Sequence, residues 1–163
     1  MSILIQKADL ETPEFAALIE RHAALMLSLS PPGSCHFLPM DGLRDPSVTV
    51  WEMRDGDILV GCGALKELDA SHGELKSMHT LAERRGDGLG RKMLDFILSE
   101  ARRRGYQTLS LETGSMEGFK PSRRLYESSG FTHCPPFSDY VEDPNSVFMR
   151  LDIGPAESAP DQR

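Results

Sequence analysis

Residues 73–105, GELKSMHTLAERRGDGLGRKMLDFILSEARRRG, run from a strand through a short turn and a glycine-rich loop into a long amphipathic helix. Leu94, Ile97, Leu98 and Ala101 recur at i, i+3, i+4 and i+7, the spacing of one apolar stripe packed on a sheet. Arg102, Arg103 and Arg104 complement the C-terminal end of the helix dipole, and Gly105 supplies the stop. Upstream, alternation predicts Glu74, Lys76, Met78 and Thr80 on one face of the strand, with Leu75, Ser77 and His79 on the other. Between the two elements Arg85, Gly88 and Gly90 spell R-x-x-G-x-G. Glycines at a helix start leave backbone N–H groups open to an anion where the helix dipole is positive. Arg84, Arg85, Arg91 and Lys92 add cations suited to phosphate oxygens. Asp87 works against them, and its side chain is expected in solvent. The stretch is built to seat a pyrophosphate.

Working outward, Ile3 to Lys7 reads as a short strand, and Thr12-Pro13 as an N-cap and first helical residue. Phe15, Leu18, Ile19 and Met26 extend that helix from about Pro13 to Leu29, with His22 on the same face as a solvated or packed histidine. Ser30 to Gly42, with two prolines at its start, is a loop with room for a short helical turn. Ser47 to Met53 and Ile58 to Leu68 form a hairpin about Asp55-Gly56, and Gly61 and Gly63 allow a close neighbour or a bulge. Tyr106 to Glu112 is the strand after the long helix, and Phe119 to Ser129 a short helix stopped by Gly130. Phe131 to Cys134 and Ser146 to Ile153 are the last strands, with a long loop between them. Residues 1–153 are read as one domain and 154–163 as a disordered polar tail. The order of elements predicts a mixed α/β (α+β) sheet with helices on both faces.

Composition narrows the function classes. A net charge of −7 argues against a nucleic-acid partner held by bulk electrostatics. Cys35, Cys62 and Cys134 are odd in number and widely spaced, which predicts neither a disulfide framework nor a zinc site and suits a reducing cytoplasm. No window approaches 18 apolar residues, so no membrane partner is expected. A nucleotide enzyme is a remote reading of the glycine loop: G-x-x-x-x-G-K-[ST] is absent, and Arg91 stands where G-x-G-x-x-G needs its last glycine.

The R-x-x-G-x-G loop, the strand ELKSMHT before it, the strand Thr108–Glu112 after it, and Leu125-Tyr126 ahead of Gly130-Phe131 together resemble the GCN5-related N-acetyltransferases, over roughly residues 57–131. The resemblance implies a central mixed sheet that splays between the strand ending at Thr80 and the strand ending near Glu112, with acyl-CoA in the splay. It implies acetyl-CoA as cosubstrate and no metal. The donor would be held by Arg85, Gly86, Asp87, Gly88, Leu89, Gly90 and Arg91, by the strand backbone at Met78, His79 and Thr80, and by Tyr126. Dimers are common in that family, so a homodimer is compatible with the resemblance.

Acetyl transfer from a thioester to an amine needs the donor held, its carbonyl polarised, the ammonium deprotonated and the thiolate protonated. Tyr126, in the position of the family's L-Y-x-x-x-G-F tyrosine, is expected to serve the thiolate. Glu74, eleven residues before Arg85 as in several members, is the first candidate base, Glu112 the second and His79 the third; a packed or ion-paired Glu74 is the competing reading. A glutamate of ordinary pKa near 4.3 is a poor base for an ammonium, so burial or a water relay is required. Phe119 occupies the position where many members carry an asparagine, and Ser122 that of an alanine, so donor contacts from that helix differ. A primary amine on a small molecule or amino acid, attacked directly in a ternary complex, is the leading expectation for the acceptor. A protein lysine or N-terminus, or a non-catalytic acyl-CoA sensor, are the alternatives.

Overall fold

The computed structural model describes residues 2–31, 33–34 and 36–154, so Cys35 and the expected tail beyond residue 154 lie outside the described residues. Strands β1 (Ile3–Lys7), β2 (Val48–Asp55), β3 (Ile58–Asp69), β4 (His72–Thr80), β5 (Thr108–Gly114), β6 (Thr132–His133) and β7 (Ser146–Asp152) form one sheet in the order β1-β2-β3-β4-β5-β7-β6. Every neighbouring pair is antiparallel except β4 and β5. Helix α1 (Pro13–Leu29) starts as the sequence predicts, with the Thr12 hydroxyl accepting from the Phe15 N–H at 3.2 Å. A single helical turn, α2 (Met40–Leu43), follows the proline loop; then come α3 (Leu89–Arg103) and α4 (Lys120–Ser128).

Two cores sandwich the sheet. On one face Met93, Leu94, Ile97, Leu98 and Ala101 of α3, with Tyr126 of α4, pack on Leu65, Leu75, Leu109 and Leu111. On the other, Phe15, Leu18 and Ile19 of α1 and Leu43 of α2 cover Val50, Leu59, Cys62 and Ala64. The layered α/β arrangement agrees with the sequence reading. The differences are local. β5 begins two residues later than expected because Tyr106 turns inward, buried, with its hydroxyl donating to Glu67 at 2.7 Å. The strand expected over Phe131–Cys134 shrinks to two residues, since Phe131 is drawn into the α3-side core.

One irregularity carries most of the functional geometry. Pairing of β3 with β4 steps from Ala64–Lys76 to Cys62–His79, so two residues of β4 bulge where β3 has one. Ser77 sits at φ 57° in this bulge, and a Cβ on Gly61 would come within 2.8 Å of the His79 carbonyl oxygen. The expected alternation is therefore broken. Met78 falls on the α3 face, against Met93, while His79 turns to the α1 face that Glu74 and Lys76 occupy. The parallel pairing of β4 with β5 stops at Glu74–Ser110, and beyond it the two strands part.

His79 meets His22 across this face, Nδ1 to Nδ1 at 3.1 Å, both rings buried. Burial holds His22 down to about 4, and burial, with the His22, Arg85 and Arg21 charges adding to it, holds His79 down to about 3. In the unfolded chain both would titrate near 6.5, so the unfolded state binds more protons at any lower pH. The pair thus leaves stability intact above pH 6.5 and lowers it progressively from there toward pH 4. For His22 alone the full effect is on the order of 3 kcal/mol. Thermal denaturation between pH 4 and 7.5 should show His22→Gln losing less stability on acidification than the parent; an unchanged slope would mean the ring is already protonated in the native state.

Candidate active site

The loop that opens α3 has the shape of an anion cradle. Gly86 and Gly88 lie at φ 92° and 79°, with Gly88 as the N-cap of α3. Among the described residues no side chain caps this helix, which leaves its first N–H groups open to a ligand. The surrounding cations divide their roles. Arg84 is paired with Asp55 and Asp87, each at 3.0 Å, so the exposed Asp87 is neutralised within the loop. Arg91 donates to the hydroxyls of Ser128 and Ser129, tying α3 to the end of α4. Arg85 is exposed at the rim.

From this loop a cavity of about 550 Å³ runs along β4 to α4. Met78, His79, Thr80, Arg85, Gly86, Gly88, Leu89, Gly90, Arg91 and Tyr126 line it; of the residues named from sequence for this role, Asp87 does not. Leu25, Met26 and Leu29 of α1 form the opposite wall, which nothing in a plain apolar helix stripe announces beforehand. Phe119 and Ser122 also line it, and Phe119 packs so tightly that a Cβ on Gly114 would overlap its ring at 2.3 Å. Cys62 lines the cavity too, but burial pushes its thiol up to about 12.

A smaller recess of about 90 Å³ adjoins the first between the parted strands, and Met26, Met78, Phe119, Ser122 and Tyr126 line both. Its own walls include His22, Ser34, His36, Phe37, Lys76, Ser77, Glu112 and Thr113. Two loops meet beside its Ser34 and His36 wall: the Ser34 hydroxyl donates to Asp143 at 2.6 Å, and the His36 and Tyr140 rings meet edge to face at 5.3 Å. Tyr126 is buried, its ring edge to face with Phe131 at 5.9 Å, and burial raises its hydroxyl pKa. Arg123 of the same helix donates to the carbonyls of Gly114 and Met116 at 2.8 and 2.9 Å, so α4 is fastened to the end of β5.

The structure separates the two candidate carboxylates. Glu74 is buried, accepts from Lys76 at 3.0 Å and from the Tyr140 hydroxyl at 2.6 Å, and lines neither cavity. Glu112 lines the recess, and burial pushes its carboxyl up to about 7, with Lys76 opposing and Glu74 and Asp143 adding to the rise.

The sequence model of the Acetyltransferase (GNAT) family matches residues 13–131. The chain belongs to that family. It is 52% identical over 141 residues to the uncharacterized N-acetyltransferase YsnE of Bacillus subtilis (strain 168), covering 86% of this chain and 93% of YsnE. It is 44% identical over 149 residues to the uncharacterized N-acetyltransferase YedL of Escherichia coli (strain K12), covering 91% and 94%. A Klebsiella pneumoniae protein whose crystal structure is described as an acyl-CoA N-acyltransferase superposes with a TM-score of 0.74 at 30% identity, over 94% of this chain and 97% of that one. As a GNAT enzyme this chain is an acetyl-CoA-dependent acyltransferase. Its own features suit that cosubstrate: a cradle of left-handed glycines before an uncapped helix, an exposed Arg85, and a strand whose partner has left it.

Gly88→Ala tests the cradle. The added Cβ meets no protein atom within 4 Å, so its cost to the fold is conformational, about 1–2 kcal/mol. Gly105, at φ 85° and equally open, is the matched control remote from the cavities. Calorimetry should show CoA affinity weakened at least tenfold in Gly88→Ala and unaltered in Gly105→Ala. Equal affinities would remove the loop from donor binding.

Proposed function

We propose that this enzyme moves the acetyl group of acetyl-CoA to a primary amine of a small molecule or amino acid by direct attack in a ternary complex. The observation that carries this reading is the position of Glu112, a carboxylate pushed up to about 7 by burial, in a small recess that shares Tyr126 with the larger cavity. The recess is small, about 90 Å³, which suits a small acceptor better than a protein segment that needs an open groove. Acetyl-CoA supplies the activated carbonyl and the thiol leaving group. The chain's own residues do the rest. Gly86, Gly88, Leu89 and Gly90 present backbone N–H groups to the pyrophosphate, and Arg85 adds its charge. Past Glu74 the backbone of β4 has no β5 partner, so Met78 to Thr80 can pair with the pantetheine arm as another strand would.

Glu112 serves as the base in this reading. Burial brings its pKa up to about 7, in line with the requirement that a general base be poised near the working pH. Tyr126 keeps its proton because burial raises its pKa, and it stands where both cavities meet, suited to protonate the departing sulfur. Cys62 supports attack without a covalent enzyme intermediate, since a thiol pushed up to about 12 is not a nucleophile at neutral pH.

Two variants test these roles. Glu112→Gln should lower kcat/KM at pH 7 by about 10²–10⁴-fold and flatten a limb that, in the parent, rises with pH through about 7. Glu74→Gln should keep that limb; the opposite pattern would make Glu74 the base. Tyr126→Phe should lower kcat by about 10²-fold or more while CoA affinity holds. An unchanged kcat with chemistry rate-limiting would reduce Tyr126 to a core residue.

A further inference from the structure

The recess also holds a charge that the reaction itself does not need. Glu74 of β4 pairs with Ser110 of β5 in the last rung before the strands part. Two residues on, Lys76 and Glu112 are therefore the first to face each other across the gap, on the same side of the sheet. Both line the recess, and among the described residues they form no ion pair within 4.0 Å. The side chain of Lys76 is 9% exposed. An ammonium has three N–H donors. One goes to Glu74 at 3.0 Å and one to the Tyr140 hydroxyl at 2.9 Å, and among the described residues the third has no acceptor. Beside it the Ser77 hydroxyl is also buried without a partner. Two uncommitted polar groups at the foot of a cavity call for a ligand acceptor, since a buried polar group left unmatched is destabilising.

We propose that the acceptor is an α-amino acid, whose carboxylate is received by the third N–H of Lys76 and the Ser77 hydroxyl while its amine lies at Glu112. This rests on the small-amine reading above and narrows it. The separation of opposite charges across the gap matches a zwitterion, whereas a simple amine would leave Lys76 as it is. Glu74 and Tyr140 hold the ammonium in place rather than occupy it fully: the Tyr140 hydroxyl accepts from Lys76 and donates onward to Glu74 at 2.6 Å. Met26, Phe37, Leu75 and Phe119 supply apolar wall for a hydrocarbon side chain.

The test compares three acceptors of one skeleton with acetyl-CoA, following thiol release: phenylalanine, phenylalaninamide and phenethylamine, with leucine, leucinamide and isopentylamine as a second series. The acid should exceed its amide and amine in kcat/KM by about tenfold or more, the worth of one hydrogen bond to a charged group. Lys76→Met should bring the acid-to-amide ratio toward one. Because Lys76→Met strands Glu74, the double variant Lys76→Met/Glu74→Gln repeats the measurement with local charge balanced. Amides or amines accepted as well as acids by the parent, or an acid preference that survives in the double variant, overturns the assignment while leaving the small-amine reading standing. Acetylation of none of the six, with CoA binding intact, overturns the reading and this inference together.

Discussion

Backbone N–H and C=O groups tolerate burial only when paired, and the parting of β4 from β5 beyond Glu74–Ser110 leaves a run of them facing a cavity. Much of the site follows from that gap. Both cavities border it through Met78, and Glu112 is desolvated beside it with, among the described residues, no ion pair within 4.0 Å. The sheet withstands the gap because each half is held separately. β4 is zipped to β3, β5 to β7, and the two hydrophobic layers lie on opposite faces.

The parts legible from sequence were those that local physics writes. A threonine cap, a proline at the first helical position, a stripe at helical spacing and glycines before a helix each act within a few residues, and the structure keeps them at those places. What was hidden is what depends on partners distant in the chain. Alternation assigned His79 to the face opposite Glu74, and the bulge at Ser77 reverses this, because strand pairing with β3 rather than local preference sets the register. Spacing favoured Glu74 over Glu112 as a base. Their environments differ through Lys76, Tyr140 and the strand parting, none of which a spacing to Arg85 records.

Charge shows the same division. A chain of net charge −7 that takes a polyanionic cosubstrate has to concentrate cations, and the run from Arg84 to Lys92 is visible at once. Its internal economy is not. Arg84 braces the loop through Asp55 and Asp87, and Arg91 braces α3 against α4, so part of the positive run shapes the cradle instead of facing into it.

The buried contact between His22 and His79 joins α1 to the strand whose Met78, His79 and Thr80 line the larger cavity. α1 also walls both cavities through Met26. One helical wall of the cavities and the strand beside them are thereby coupled into one body, and their mutual orientation is settled when the chain folds. A ligand lying between them would meet walls that are already oriented, the condition under which proximity lowers a barrier most.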